Sequence, residues 1–306
     1  MFENFLSIHD ISVYEFNQIL ELAEKIKKKP SAFQDKLKNK ILALIFQKPS
    51  LRTRMTFEVG MLQLGGKAVY LGPSDTVMGT RESVEDVAKY VGLWVDGVAV
   101  RTFKHAVAEE MANACRVPVI NALTDLLHPC QAMSDFFTLR EKKGGLSNLK
   151  LAYVGDGNNV CHSLLFASAK AGVRLAIASP PGFGPDTGIL QRAEEDGKET
   201  GFSCCLTSDP VEAVRGADAV YTDTWTSMGK EEEKENRAQI FRPYQVNGRL
   251  MAEARPDALF MHCLPARRGE EVTSEVIDSK RSVVYDQAEN SLHIQKTVLL
   301  LLLGDK

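Results

Sequence analysis

The sequence predicts an α/β protein built as two doubly wound parallel-sheet domains. Three observations carry that expectation. The chain has 306 residues, long for one core and sufficient for two. Short apolar runs alternate with amphipathic helical patterns, the rhythm of βαβ units whose parallel strands are covered on both faces. The polar residues able to do chemistry fall repeatedly just after such runs, where open α/β sheets bind their ligands.

Taken in order, Ser12 with Glu15 forms a capping box that opens an amphipathic helix ending in the basic run 25–29. ILALIF (41–46) is a buried strand, FQKPSLRTR its turn, and 55–64 the following helix, closed by Gly65 and Gly66. KAVYLG is a short strand. The polar stretch PSDTVMGTRES (73–83) is a loop carrying Arg81, followed by a helix over 84–93 and the strand GVAVRTF. VPVIN leads through LTDLLHPCQ into a helix over 132–141, its first turn marked by Pro129. The basic, glycine-bearing segment 142–145 ends that helix, and the main domain boundary is placed near it.

The second half repeats the pattern. Strand LKLAYVGD, turn GNN and helix 160–172 come first, then strand VRLAIAS, a helix around 188–197, strand FSCCLTS, a short helix 210–216 and strand DAVYTDTW. The polar stretch 227–236 is expected as a solvated loop or lid. Strand ALFMHCLP, helix VTSEVIDS, strand SVVYD and a last helix close the chain. The leucine run 299–303 is far shorter than the roughly 20 apolar residues that span a bilayer, so it is expected as a buried C-terminal helix.

Composition excludes several classes. With 37 Lys+Arg against 40 Asp+Glu the formal net charge is -3, which provides no global basic field to recruit nucleic acid. The six cysteines lack paired metal-ligand spacing and point to a reducing cytoplasm, with no metal expected. MFENFLSIHDIS has neither a secretory signal's basic and apolar regions nor a transit peptide's composition, so the mature chain is expected to begin near Met1, without a membrane anchor.

The turn after ILALIF is the first candidate site. A strand running into a tight turn and then a helix presents unpartnered N–H groups at the positive end of the helix dipole. Ser50, Arg52, Thr53 and Arg54 there suit a phosphate. The other polar residues after strands are Arg101, His128 and Gln131 in the first half, then Asn158, Asn159, Asp223, Ser227, Met228, His262 and Cys263 in the second. The first set offers cations and donors. The second offers a carboxylate, amides, a hydroxyl and a thiol, which suit an amino-acid head group.

Taken singly, each has a plain structural explanation. SLRTR could be a capped helix start with exposed arginines, HPCQ a turn with a core histidine, and Cys263 a small buried hydrophobe. GDGNN matches half of a dinucleotide fingerprint, but the third glycine is missing and VRLAIASPPG carries no acid after the strand, which argues against nicotinamide. Their joint occurrence, each after a strand, is what the separate explanations leave out.

FQKPSLRTRMTFE, HPCQ, GDGNN, DTWTSMG and HCLPA, in this order, resemble the aspartate/ornithine carbamoyltransferase family over essentially the whole chain, and within it the ornithine carbamoyltransferase branch. The aspartate branch lacks SMG at this place, and acetylated-ornithine relatives carry a proline-rich loop where SMGKEEEKENR has no proline. The resemblance implies an enzyme working without metal or other cofactor, with a carbamoyl phosphate-binding domain at 1–144, on which a C-terminal helix 289–306 packs back, and an ornithine-binding domain at 145–288. It implies a homotrimer or a multiple of trimers as the partner state, and carbamoyl phosphate and L-ornithine as the small-molecule substrates.

By the same resemblance, Ser50, Leu51 through its backbone, Arg52 and Thr53 hold the phosphate, and Arg101 bridges phosphate and carbonyl oxygen. His128 and Thr53 donate to that carbonyl, and Gln131 holds the carbamoyl amide. Asn159, Asp223, Ser227 and Met228 hold the ornithine α-amino and α-carboxylate groups. Cys263 and Leu264 position the carbamoyl amide and the attacking δ-amine, so that Arg101, His128 and Cys263 are the residues closest to the chemistry.

Two positions depart from the family pattern. Leu51 stands where these proteins carry a threonine, which keeps the backbone N–H and loses a hydroxyl. Ser291 in AENSLH stands where they carry an arginine that contacts carbamoyl phosphate, removing a charge-assisted hydrogen bond of about 1.5–3 kcal/mol; Arg267, Arg268 and Arg81 are the candidates to replace it. The alternatives are a carbamoyltransferase for a related amine such as putrescine, and a family member whose turnover is reduced or lost because of Ser291.

Overall fold

The computed structural model describes residues 2–75, 78–79, 81–226 and 233–304. These divide into two compact units, Met1–Ser134 with Glu289–Lys306, and Asp135–Ala288.

In the first unit the order is α1 (Val13–Lys28), β1 (Ile41–Phe46), α2 (Leu51–Gln63), β2 (Lys67–Leu71), α3 (Val84–Val91), β3 (Gly97–Arg101), α4 (His105–Ala114) and β4 (Val119–Leu123). The helix α5 (Pro129–Lys143) begins here and carries the chain onward. All strand pairs are parallel, in the order β2-β1-β3-β4. β3 and β4 are buried along their whole length and β1 almost so. That explains why they read as continuous apolar runs, whereas the edge strand β2 exposes Lys67 and Val69.

The second unit contains β5 (Lys150–Val154), α6 (Asn159–Ala171), β6 (Arg174–Ala178), α7 (Thr187–Asp196), β7 (Ser203–Thr207), α8 (Pro210–Val214), β8 (Ala219–Tyr221), α9 (Lys234–Phe241), α10 (Gly248–Glu253), β9 (Leu259–Met261) and α11 (Ser274–Ile277). Its sheet is also parallel, ordered β7-β6-β5-β8-β9. Each sheet reverses its winding once, between β1 and β3 in the first and between β5 and β8 in the second. The carboxyl ends at those two reversals are where such sheets leave a crevice for ligands.

Several sequence expectations are corrected. SVVYD is no strand: Ser282 makes one bridge to Phe260, and Val284 already begins the last helix, α12 (Val284–Leu303). VTSEVIDS shrinks to α11, a single turn. The helices α4, α9 and α10 were not expected. In α4 only Ala108 and Met111 are buried, too faint a pattern to read, although a parallel β3–β4 crossover requires a connection of this size. Of the polar stretch 227–236, residues 227–232 lie outside the described residues and Lys234 opens α9.

The leucine run is helical as anticipated and is buried at its two ends, Leu299 and Leu303, with 300–302 half-buried, within the first unit. Ile294, Val298, Leu299 and Leu303 are in its core. Lys27 Nζ donates to Asn290 Oδ1 at 2.7 Å, and Lys296 Nζ to Gln63 Oε1 at 3.0 Å. Helix α2 approaches α12 closely at Gly60, where a Cβ would lie 3.3 Å from Lys296 Cγ. Leu299→Ala is therefore expected to cost about 2–5 kcal/mol, read as a lowered midpoint in urea unfolding, with a smaller loss for Leu301→Ala, whose side chain is half-exposed.

Candidate active site

In the first unit the site grows from the ends of β1 and β3. Ser50 is extended (φ -152°) and caps α2 by position, but its hydroxyl makes no capping bond. It accepts instead from Arg101 Nη1 at 3.3 Å, and Thr53 Oγ1 accepts from the same nitrogen at 3.5 Å. Arg101, the last residue of β3, is 8% exposed. Burial first, and the neighbouring Arg52 charge second, lower its pKa to about 10, so it stays cationic at neutral pH. His128 is buried in the turn before α5. Burial, then Arg101 and Arg52, lower its pKa to about 3. The charges of buried Arg101 and exposed Arg52 thus both bear on a neutral imidazole, an arrangement relieved by an anion.

The turns that carry these groups are bound to each other. Gln47 N–H donates to Arg101 O at 2.8 Å, and the Thr102 hydroxyl donates to Gln47 Oε1. Lys48 Nζ lies 4.2 Å from the centre of the Phe103 ring. Arg54 is held away from the cradle, stacked 3.6 Å over Tyr70 and donating to Glu58 at 2.9 Å. Leu51 is 77% exposed, its side chain in solvent. Gln131 is half-buried in the first turn of α5, and Ser291 half-buried on α12. Of the candidates to replace the arginine at 291, Arg268 is bound by both carboxylate oxygens of Asp278 at 2.5 and 2.8 Å, Arg267 pairs with Glu270 at 3.4 Å, and Arg81 is exposed.

In the second unit Asp223 is the centre. It follows β8, is buried, and accepts from Asn158 Nδ2 at 2.7 Å on Oδ2, and from Thr224 N at 2.7 Å and Cys263 Sγ at 3.1 Å on Oδ1. Asn158 also caps α6, its Oδ1 accepting from Val160 N and Cys161 N at 3.0 and 3.1 Å. Asn159 is the first residue of α6, half-buried beside it. The turn admits only glycine at 157, where a Cβ would lie 2.2 Å from the backbone carbon of Gly184. Ser227 and Met228 lie outside the described residues.

Cys263 and Leu264 are presented by a turn with Leu264 at φ 56°. Leu264 N–H donates to His262 Nδ1 at 2.8 Å, which places the ring proton on Nε2, where it donates to the buried Glu271 at 3.1 Å. Asp223, His262 and Cys263 offer ligand atoms all within 4.8 Å of one another. A metal there would have to displace the bonds on either ring nitrogen of His262, so the donor set fits an orienting network better than a metal centre. A second buried clamp joins the β5 turn to the segment after β8: Arg237 donates to Asp156 and, at 2.6 Å, to Trp225 O, with Phe183 and Phe241 rings 5.0 and 5.3 Å away.

The structure therefore gathers Ser50, Thr53 and Arg101 in one unit, and Asn158, Asp223 and Cys263 in the other. Gln47, Thr102, Glu271 and Arg237 were not singled out from sequence. An internal signal existed for Gln47 and Thr102, polar residues directly beside the two strand ends. For Arg237, in the polar run KENR, nothing local foretold burial. Buried Cys130, its thiol pushed up to about 12 by burial, is an inert core residue.

The lowered pKa of His128 has a measurable consequence. The folded chain protonates it only near pH 3, the unfolded chain near 6.5. The unfolded state thus binds more protons throughout that window, and the folded state loses stability as pH falls through 6.5, by up to about 1.4 kcal/mol per pH unit from this residue. His128→Gln is expected to flatten the fall of the urea midpoint between about pH 6.5 and 5. Parallel slopes for wild type and variant would contradict the assignment.

Comparison with known proteins agrees with both halves. The model of the aspartate/ornithine carbamoyltransferase carbamoyl-P binding domain matches residues 3–141, and that of the Asp/Orn binding domain matches residues 147–302. An ornithine carbamoyltransferase of Carboxydothermus hydrogenoformans is 50% identical over 98% of this chain and 97% of its own length. An anabolic ornithine carbamoyltransferase of Pyrococcus furiosus is 50% identical over 98% and 96%. A solved structure of ornithine carbamoyltransferase from Pyrococcus furiosus superposes with a TM-score of 0.96, at 48% identity over 99% of this chain and 98% of that one. That from Thermus thermophilus gives 0.90, at 46% identity over 99% and 100%. Matched in both units, in fold and along its whole length, the chain belongs to the aspartate/ornithine carbamoyltransferase family.

Proposed function

We propose that the protein is an ornithine carbamoyltransferase, moving the carbamoyl group of carbamoyl phosphate to the δ-amine of L-ornithine to give L-citrulline and phosphate. The observation that carries this reading is Arg101, a desolvated cation held by Ser50 and Thr53 beside a neutral His128. The names of the relatives and the carboxylate hub of the second unit support it. In this reading the first unit binds carbamoyl phosphate and the second binds the amino acid.

The chemistry follows from charge. The neutral δ-amine attacks the carbonyl carbon, the C–N bond forms, and negative charge grows on the carbonyl oxygen and then on the departing phosphate as the C–O bond breaks. Arg101, Arg52 and His128 are the donors that stabilise both charges. The amine's proton leaves with the phosphate, so no covalent enzyme intermediate is needed. Cys263, donating to Asp223, acts as an orienting group, with Leu264 presenting its backbone beside it. Asp223 has two oxygens and about four acceptor sites, of which Asn158, Thr224 and Cys263 use three; the α-ammonium of ornithine takes the remaining capacity. Asn159, Ser227 and Met228 complete the head-group site, Gln131 the carbamoyl site.

The protein works in the cytoplasm as a homotrimer or a multiple of trimers in this proposal. Exposed Leu62, Val69, Leu93 and Trp94 in the first unit supply apolar surface for such contacts. No helix among the described residues is long and apolar enough to cross a membrane.

Citrulline formation from carbamoyl phosphate and ornithine is the direct test, run beside putrescine. The α-amino acid contacts assigned to Asp223 predict turnover of ornithine and little of putrescine; faster putrescine turnover would overturn the substrate assignment. The departure at Ser291 favours a second reading, a family member with weakened turnover, which an absence of citrulline would support. With Arg267 and Arg268 already paired to acids, Ser291→Arg is expected to tighten carbamoyl phosphate binding by about 10- to 150-fold, measured calorimetrically. Unchanged or weaker binding would count against a role for position 291.

A further inference from the structure

We infer that Asp135, a fully buried carboxylate on α5, is a positioning residue that fixes the strand ends carrying Asp223 and Cys263. Its Oδ2 accepts from the Tyr221 hydroxyl at 3.0 Å, and its Oδ1 accepts from Gln287 Nε2 at 2.8 Å. Gln287 in turn accepts the backbone N–H of His262 on Oε1, at 3.0 Å. Tyr221 is the last residue of β8, two before Asp223; His262 follows β9 and precedes Cys263. One acid therefore reaches both residues of the amino-acid half of the site, through a side chain on one strand and a backbone amide on the next.

The need for such a device lies in the strands themselves. β8 and β9 pair over only three positions, ending at Tyr221↔Met261. Beyond that point Thr222 N donates to Met261 O at 3.2 Å, and the Asp223–Cys263 bond at 3.1 Å depends on where the two ends stand. The chain through Asp135 and Gln287 extends their register past the ladder. Asp135, Tyr221 and His262 are 0% exposed and Gln287 1%. Burying a carboxylate is costly, and an apolar residue of similar volume would often be no less stable. On a helix face shared with buried Leu139, the acid contributes alignment that a leucine cannot.

The inference rests on the ornithine reading for its kinetic arm, and the test has a second arm that does not. Asp135→Asn, Tyr221→Phe and their double variant are compared with Leu139→Ala, a buried change on the same helix outside the network, chosen to lower thermal stability comparably. The first arm is steady-state kinetics of citrulline formation. The second is the rate of alkylation of Cys263 by iodoacetamide, followed by peptide mass spectrometry with exposed Cys205 as internal reference.

Asp135→Asn keeps the shape but offers one acceptor where two donors converge, so the link to Tyr221 or to Gln287 is lost. A rise of about tenfold in KM for ornithine is expected, with KM for carbamoyl phosphate within about twofold, a severalfold change in Cys263 alkylation relative to Cys205, and a double variant no worse than the worse single one. Ornithine KM and Cys263 reactivity that merely track thermal stability, as in Leu139→Ala, or single effects that add, would overturn the positioning role. Should the wild type form no citrulline, the functional reading fails, while the alkylation arm still decides the role of Asp135.

Discussion

The guanidinium of Arg101 is the constraint around which the first unit is arranged. A cation with so little exposure is stable only where its desolvation is offset, and here the hydroxyls of Ser50 and Thr53 are the acceptors that face it. Those hydroxyls come from the turn after β1 and from the first turn of α2, so the winding reversal that sets β1 beside β3 is what lets one strand's arginine meet another strand's helix start. Gln47 then locks the two turns together through Arg101 O and Thr102. The nearby, exposed Arg52 and the neutral His128 leave the region electropositive, and in the proposed reading the desolvated Arg101 meets a phosphate at a strength that water would screen.

The second unit solves the opposite problem. Asp223 is a buried anion, and it is stabilised by neutral donors: an amide, a backbone N–H and a thiol. Neutral donors hold the carboxylate in place without cancelling its charge, leaving it able to attract an ammonium group. A guanidinium in the same position would have quenched it. Arg237 is close in sequence but spends its charge on Asp156 and the Trp225 carbonyl.

How much of this was legible depended on whether the information was local. The strands at the two reversals, the cradle after ILALIF, and the positions of Arg101, Asp223 and Cys263 each follow from an apolar run and what comes directly after it. The C-terminal leucine run is similar, since five consecutive leucines in a chain of this kind must be covered. SVVYD was misread because β-branched residues favour extended backbone, yet only Ser282 and Val283 run along β9 before the helix begins. α4 was missed because a helix that buries two residues leaves almost no periodic trace. The supporting bonds of Asp135 join it to Tyr221 and Gln287, 86 and 152 residues away, and no single window contains both partners. Asp135 alone left a clue, as an acid amid the apolar positions of AMSDFFTL.

The departure at Ser291 acquires its meaning from the same physical picture. If the cradle's affinity came mainly from one long cation reaching in from α12, serine there would empty it. In the proposed reading the work is distributed differently: Arg101 is pre-bonded to the residues that would line the phosphate, His128 is held neutral, and the α2 N-terminus adds the positive end of its dipole. Such preorganised groups need no ordering when the ligand arrives, whereas an arginine on a half-buried helix face would have to give up side-chain freedom to make its contact. A cradle of this kind tolerates the loss of a peripheral cation with weaker ground-state binding while keeping the donors that meet the charge developing on the carbonyl oxygen. Ser291 would then act on affinity for carbamoyl phosphate more than on the chemical step, because the groups proposed to stabilise that step are carried by α2, β3 and the turn before α5.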